Sequence, residues 1–381
     1  MTAGAGPKLL VVATDALGWR SQASAFTAHV AAALPEVTVH TLRYQPPRAL
    51  RPLLKDVYAR FRRRRLGLVS SMTMARLAFR RRLARAIETC RPDAVLFIGH
   101  FSAAALPPGP RPYRVGMVAD ITVPVARRLF RPTQLDAGDE LRERAVAAAM
   151  DVILANSEGV AESFRTDHGI PAGRVLLCRP FCRLPDAPPS HRPVRRRPVV
   201  GFVGNDLARK GGDLLLEAFD AGLNRQVDLV FVGAATERTA PRPGLTLLGA
   251  VPYDRLIGEV MPGFDILCLP TREDLSPLVL AEAGSLGTPC VATDVGFIRE
   301  VVLHGRTGLL VPVDDGAALA AAIGRLAGDP ALRAAMGRAA ADHIRASFPL
   351  AANVAQVLDR LVPERAPWGQ GGDAPLRRAA G

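Results

Sequence analysis

The sequence predicts an α/β chain of two domains, each built around a doubly wound parallel sheet. Three observations lead there. The chain has 381 residues, more than one hydrophobic core usually organises, and 49% of them are apolar. Short β-branched apolar runs alternate with longer Ala- and Leu-rich stretches, the rhythm of repeated βα units. A proline-dense segment interrupts that rhythm near the middle, with prolines at 180, 185, 188, 189, 193 and 198 and the run Arg195, Arg196, Arg197. Neither a helix interior nor a central strand tolerates such a segment, so it reads as the linker.

Six strands are expected on each side of it. In the first half they fall near residues 9–13, 37–42, 94–98, 114–118, 152–155 and 175–178. In the second they fall near 199–203, 228–232, 245–248, 265–269, 290–293 and 309–311. The expected division is therefore residues 1–192, residues 193–348, and a C-terminal piece 349–381. That last piece holds one helix to about Leu361 and a Pro-, Gly- and Ala-rich tail expected to fray from Pro363.

The formal net charge of +13 is unevenly distributed. Residues 1–192 carry 29 Arg and Lys against 15 Asp and Glu, and residues 193–381 carry 20 against 21. The excess concentrates in residues 58–86, where Arg60, Arg62 to Arg65, Arg76, Arg80 to Arg82 and Arg85 interleave with apolar residues. Such a segment is either a solvated helix face or a basic amphipathic surface for anionic lipid, where each cation contributes about 1 kcal/mol. Nucleic acid is the weaker partner, because the run lacks aromatic residues for stacking.

Five cysteines without a signal-peptide pattern point to a reducing, cytoplasmic compartment, with peripheral contact at the inner membrane face as the option that residues 58–86 leave open. Cys178 and Cys182 lack the second ligand pair of a zinc site. No apolar run approaches the ~20 residues of a membrane span.

The chemistry concentrates between Pro270 and Thr293. This stretch begins where the strand near 265–269 ends, at the carboxyl edge where ligands of open α/β sheets collect. Ser276 is expected to cap a helix and Pro277 to be its first residue, leaving N–H groups free to seat a phosphate. Asp274 and Glu282 frame that seat, and carboxylates beside a phosphate site suit sugar or ribose hydroxyls. The alternative is a helix-entry acid and an ordinary surface glutamate. A second stretch, Val200 to Gly212, reads as strand, glycine-punctuated turn and helix, bringing Gly204, Asn205, Arg209 and Lys210 to the same edge. Cations and glycines beside a helix start fit a diphosphate, although Lys210 could equally be a solvated loop lysine.

Taken together, these motifs resemble the donor domain of retaining glycosyltransferase family 4, of the two-domain type called GT-B. The matching pieces are Gly204 to Gly211, the acids around Leu275, Ser276 and Pro277, Glu282 with Gly287 to Pro289, Asp294 to Gly296 with Glu300, and Gly305 to Val311, covering roughly residues 199–330. The resemblance implies two Rossmann-like domains facing a central cleft, a UDP- or GDP-sugar as donor and no metal. It further implies that Lys210 binds the diphosphate, Asp274 faces the transferred sugar and Glu282 holds the ribose. By the same resemblance the backbone of Leu275, Ser276 and Leu278 is expected near the phosphates, and that of Val251 and Tyr253 near the base.

Two positions depart from the family pattern. Asp274 stands where Glu is usual, and Asn205 where Arg is usual, with Arg209 as the substitute cation. The first half resembles the family less. Gly18 is what remains of a glycine-paired turn after the first strand, and the usual histidine after the fourth strand is replaced by Asp120. Asp120 and His100 are the candidates to stand near the reacting carbon, against a purely structural role for the histidine. The implied activity is retaining transfer of a hexose or amino-hexose to a hydroxyl of a sugar, secondary metabolite or lipid-linked glycan. The alternatives are a GT-B sugar-nucleotide epimerase and a catalytically degenerate partner protein.

Overall fold

A computed structural model of the chain describes residues 6–15, 17–45, 71–130, 137–185, 188, 195–233, 240, 242–365 and 368. The chain divides between Arg183 and Leu184 and again between Ser347 and Phe348, so that the C-terminal stretch returns to the first unit. Each of the twelve expected strands is present.

In the first unit the elements run β1 (Lys8–Thr14), α1 (Leu17–Ala33), β2 (Thr38–Tyr44), α2 (Ser71–Cys90), β3 (Ala94–Ile98), α3 (His100–Ala103), β4 (Arg114–Ala119), α4 (Val123–Leu129), α5 (Ala137–Ala148), β5 (Val152–Ala155), α6 (Glu158–Thr166) and β6 (Val175–Leu177). All pairings are parallel, in the order β2-β1-β3-β4-β5-β6. Parallel strands covered on both faces need apolar residues without alternation. Leu9 to Val12 and Ala94 to Ile98 meet that need, every residue being essentially inaccessible.

The second unit contains β7 (Val199–Gly204), α7 (Gly212–Ala221), β8 (Asp228–Gly233), β9 (Leu245–Gly249), β10 (Ile266–Leu269), α8 (Leu278–Ser285), β11 (Cys290–Thr293), β12 (Gly308–Val311), α9 (Gly316–Gly328) and α10 (Pro330–Ser347). Its parallel sheet has the order β12-β11-β10-β7-β8-β9. The strand order reverses between β7 and β10, and loops leaving the carboxyl ends of such a strand pair diverge to opposite faces, opening a crevice. In the first sheet the corresponding switch lies between β1 and β3.

The final helix, α11 (Leu350–Leu361), was expected as a separate C-terminal piece and is instead part of the first core. Its apolar stripe of Val354, Val357, Leu358 and Leu361 is buried with Leu9, Val11, Leu96 and Leu154. Asn353 Nδ2 donates to the Arg179 carbonyl at 3.2 Å, and Arg114 donates to the Arg360 carbonyl at 3.3 Å. Of the tail expected to fray from Pro363, residues 366–367 and 369–381 lie outside the described residues, and Trp368 is buried, its indole N–H donating to the Val362 carbonyl at 3.2 Å. An amphipathic stripe that finds a core outweighs the fraying tendency of a terminus.

Of the basic stretch 58–86, residues 58–70 lie outside the described residues. Further along α2, Phe79 and Leu83 are buried, Phe79 against Tyr44 with ring centroids 5.0 Å apart. Arg80, Arg81, Arg82 and Arg85 are exposed. In this part of the helix two large apolar residues are spent on the protein's own core and the arginines form a solvated face. Among the described residues no helix is long and apolar enough to cross a membrane.

Truncating Leu358 to Ala, deep in the first core, is expected to cost about 2–5 kcal/mol, measured as a lowered urea midpoint. An unchanged midpoint would show that α11 is not integral to that core.

Candidate functional site

The two stretches singled out in the second half meet at the switch point of the second sheet. The loop after β7 carries Lys210 and the loop after β10 carries Asp274. Gly211, with φ of 70°, is what lets them approach: a Cβ there would lie 1.8 Å from the Pro270 carbonyl oxygen. Only glycine populates that left-handed conformation without penalty and leaves the space empty.

Polar ties then bind loop to loop. The Arg272 N–H donates to the Arg209 carbonyl at 2.8 Å, and Thr271 Oγ1 donates to the same carbonyl at 3.1 Å. Arg209 Nη1 donates to the Glu273 carbonyl at 2.9 Å and lies 3.8 Å from Asp274 Oδ2. The Lys210 ammonium is hydrogen-bonded to Asp274 Oδ2, both side chains being only 16% accessible. Lys210 is therefore not a solvated loop lysine, and Asp274 is not simply a helix-entry acid. Asn205 is exposed beside Gly233.

The helix start differs by one residue from the expectation. Pro277 occupies the capping position, with φ of −66° and ψ of 119°, and α8 opens at Leu278. Ser276 does not cap it. Its Oγ is buried without a hydrogen-bond partner. Proline cannot donate and has no capping side chain, so an opening at Leu278 leaves the first-turn N–H groups of Leu278 and Val279 pointing out of the helix. The first bond back to the cap is made by Leu280, at 3.1 Å to the Pro277 carbonyl. The Leu275 carbonyl, one residue before Ser276, is held by the Phe297 N–H at 2.9 Å.

Glu282 is not an ordinary surface glutamate. It is 5% accessible, and burial pushes its carboxyl up to about 7 against the opposing hydrogen bond from Tyr253. Tyr253 Oη donates to Glu282 Oε1 at 3.0 Å. Val251 and Pro252 lead into this tyrosine, whose expected contribution was backbone; its hydroxyl is the group that meets Glu282.

In the first unit, Gly18 lies one residue inside α1 and is exposed. The turn before it is pinned by Asp15, which accepts from Arg20 and Gln45 at 2.7 Å each. His100 follows β3 and Asp120 follows β4, a neighbouring strand, which brings His100 Nδ1 to 3.9 Å from Asp120 Oδ1. Gly99, with φ of 106°, sits where a Cβ would come 2.4 Å from Thr14 Oγ1, so the loops at this switch point are also in close approach. His100 is 2% accessible, and burial holds its imidazole below the ordinary histidine range despite Glu143. Glu143, which sequence reading passed over, is equally buried. Its Oε2 accepts from His168 Nε2 and from the Val123 N–H, each at 2.7 Å, and its Oε1 lies 4.0 Å from His100 Nε2. His100 Nδ1, Glu143 Oε1 and Asn156 Oδ1 are buried without a hydrogen-bond partner. Buried polar atoms of that kind at the carboxyl edge are suited to hydroxyl groups of a ligand. A cavity of about 580 Å³ lined by Asp93, Arg111, Tyr113 and Asp151 lies at the opposite, amino-terminal edge of this sheet and shares none of these residues.

Replacing Glu282 with Gln keeps the acceptor for Tyr253 and removes a carboxyl that the folded state prefers protonated. Folding is penalised by ionisation as pH rises from the ordinary glutamate range through about 7, so the variant should be more stable than wild type at pH 8, by on the order of 3 kcal/mol. The difference should vanish near pH 4, as read from urea midpoints across pH; a gap independent of pH would contradict the shifted carboxyl.

Comparison with known proteins follows the same residues. D-inositol 3-phosphate glycosyltransferase of Kribbella flavida is 32% identical over 233 residues, 53% of this chain and 54% of that protein. The protein of the same name from Corynebacterium jeikeium is 34% identical over 196 residues, 47% of this chain and 46% of that one. The chain thus spans about half the length of the curated relatives it matches. Among solved structures, sucrose-phosphate synthase of Thermosynechococcus elongatus superposes with a TM-score of 0.66 at 19% identity, covering 92% of this chain and 97% of that one. Anabaena HepE in complex with UDP superposes with a TM-score of 0.64 at 17% identity, covering 93% and 99%. The fold is GT-B, and residues 197–329, which hold the Lys210, Asp274 and Glu282 constellation, match the family of Glycosyl transferases group 1.

Proposed function

We propose that the chain is a glycosyltransferase that takes a hexose or amino-hexose from a UDP- or GDP-sugar and transfers it, with retention of configuration, to a hydroxyl of a sugar, secondary metabolite or lipid-linked glycan. The observation that carries this reading is the pairing of Lys210 with Asp274 beside the open first turn of α8. A cation, outward N–H donors and two flanking acids suit a diphosphate that joins two hydroxyl-bearing sugars. The matched family and the relatives named above support it.

In this reading the donor diphosphate takes Lys210 from Asp274. The released carboxylate is then free to accept hydrogen bonds from the transferred sugar. Glu282 accepts from the ribose hydroxyls, and Tyr253, already bonded to Glu282, borders the nucleoside. As the bond between the anomeric carbon and the diphosphate breaks, negative charge grows on the leaving phosphate. Lys210 and the N–H groups of Leu278 and Val279 meet that charge more strongly than they meet the bound donor, which lowers the barrier. The buried polar atoms of His100, Glu143 and Asn156 that lack a hydrogen-bond partner offer a hydroxyl-binding edge for the acceptor on the first sheet.

Thermal-shift titration with UDP, GDP and their sugars tests the reading. One of the nucleotides should raise the melting temperature, and Lys210→Ala and Glu282→Ala should each weaken binding at least tenfold. Because ribose hydroxyls favour ionised Glu282, wild-type affinity should climb as pH rises through about 7. Slow hydrolysis of one nucleotide sugar separates a transferase from a degenerate partner protein, and release of free nucleotide separates it from an epimerase. Binding unaffected by both substitutions would remove the site.

A further inference from the structure

The two loops of the second-unit site converge on a side chain that nothing above assigns. Arg272, two residues before Asp274, reaches three segments of the carboxyl edge. Its Nε donates to Asp314 Oδ1 at 2.6 Å, in the loop after β12. Its Nη1 donates to Asp213 Oδ1 at 2.7 Å, in the first turn of α7, and to the Ala208 carbonyl in the lysine loop. Its own N–H holds the Arg209 carbonyl at 2.8 Å. Lys210 therefore follows two consecutive residues whose carbonyls Arg272 holds, and it precedes the Gly211 contact with Pro270.

The electrostatics fit a fixed clamp. Burial works against ionisation of Asp213, yet the Arg272 hydrogen bond and charge hold its carboxyl below the usual range. Hydrogen bonds to Asp213 and Asp314 in turn hold the guanidinium firmly protonated. With its charge engaged by two carboxylates, Arg272 has little left for a diphosphate. Asp314 adopts a φ of 60°, an unusual conformation for a residue with a side chain, and the bond to Arg272 is one that such a conformation serves. The planar fork of arginine can bridge two carboxylates and a carbonyl at once, which a lysine ammonium at the end of a flexible stem does less well.

We infer that Arg272 is the positioning residue of the donor site: it fixes the 208–211 loop against the 270–274 loop, so that Lys210 is presented to the diphosphate rather than to solvent. The inference rests on the donor-site reading above for its effect on binding, but the clamp itself can be tested without any donor. Composition helps here, because only three of the 49 basic residues are lysines, Lys8, Lys55 and Lys210. Lysine-directed acylation therefore reports on Lys210 with Lys8 as an internal reference.

The experiment compares wild type, Arg272→Gln, Arg272→Lys and Asp314→Asn in two measurements. Acylation by acetic anhydride, read peptide by peptide by mass spectrometry, should accelerate several-fold at Lys210 in Arg272→Gln, less in Arg272→Lys and Asp314→Asn, and not at Lys8. Calorimetric titration with UDP and GDP should show at least a tenfold loss of affinity in Arg272→Gln and partial recovery in Arg272→Lys. In a Lys210→Ala background, Arg272→Gln should add less than twofold, because it acts through the lysine. Unchanged acylation of Lys210 in folded Arg272→Gln overturns the inference, as does a full additional loss of affinity in the Lys210→Ala background, which would make Arg272 a direct ligand. Should Arg272→Gln fail to fold, Arg272→Lys and Asp314→Asn carry the same comparison. Failure of wild type to bind either nucleotide overturns the donor reading instead, and the acylation rates still decide the clamp.

Discussion

The close approach of two loops at the switch point of the second sheet is the constraint on which the candidate chemistry depends. Strands β7 and β10 are neighbours, and their helices leave on opposite faces, so the loops that follow them would separate unless something drew them together. Gly211 permits backbone contact with Pro270, and Thr271, Arg209 and Arg272 tie the loops across the gap. Without that contact Lys210 and Asp274, 64 residues apart in sequence, would have no reason to meet. With it, a cation and an acid stand beside the open first turn of α8, preorganised at little cost when a ligand arrives.

The first unit solves a related problem with buried polarity. Its switch point lies between β1 and β3, and Gly99 allows the loops there to touch. Behind that edge, Glu143 is held by His168 and the Val123 N–H, with one oxygen turned towards His100. A buried carboxylate costs several kcal/mol unless it is paired and hydrogen-bonded. Here one oxygen is satisfied and the other is not, which concentrates unspent hydrogen-bonding capacity where a hydroxyl-bearing ligand would approach.

Much of this was legible in the sequence, for physical reasons. Strands buried on both faces must be continuously apolar, so all twelve could be found from runs such as Leu9 to Val12 and Ala94 to Ile98. Lys210, Asp274 and Glu282 were singled out because the motifs around them resemble a known family, and the structure brings the first two, from separate loops, into contact. Strand order was not legible, since it depends on which βα units cross which face. The helix start was misplaced by one residue because Ser276 and Pro277 satisfy a local capping pattern that the backbone does not adopt. Arg272, Glu143 and the side-chain role of Tyr253 escaped notice because the partners are remote: Asp213 is 59 residues from Arg272, His168 is 25 from Glu143 and Glu282 is 29 from Tyr253. The apolar stripe of α11 was visible, but not the core it would join. One signal was available in composition alone. Lys210 is one of only three lysines among the 49 Lys and Arg residues of the chain.

A crystal structure with UDP or GDP bound tests the central claim most directly. The diphosphate should lie on the first turn of α8, within hydrogen-bond reach of the Leu278 and Val279 N–H groups and the Lys210 ammonium, with the ribose hydroxyls on Glu282 and Asp274 released from the lysine. A nucleotide seated elsewhere, with the Lys210 to Asp274 pair intact, would contradict it.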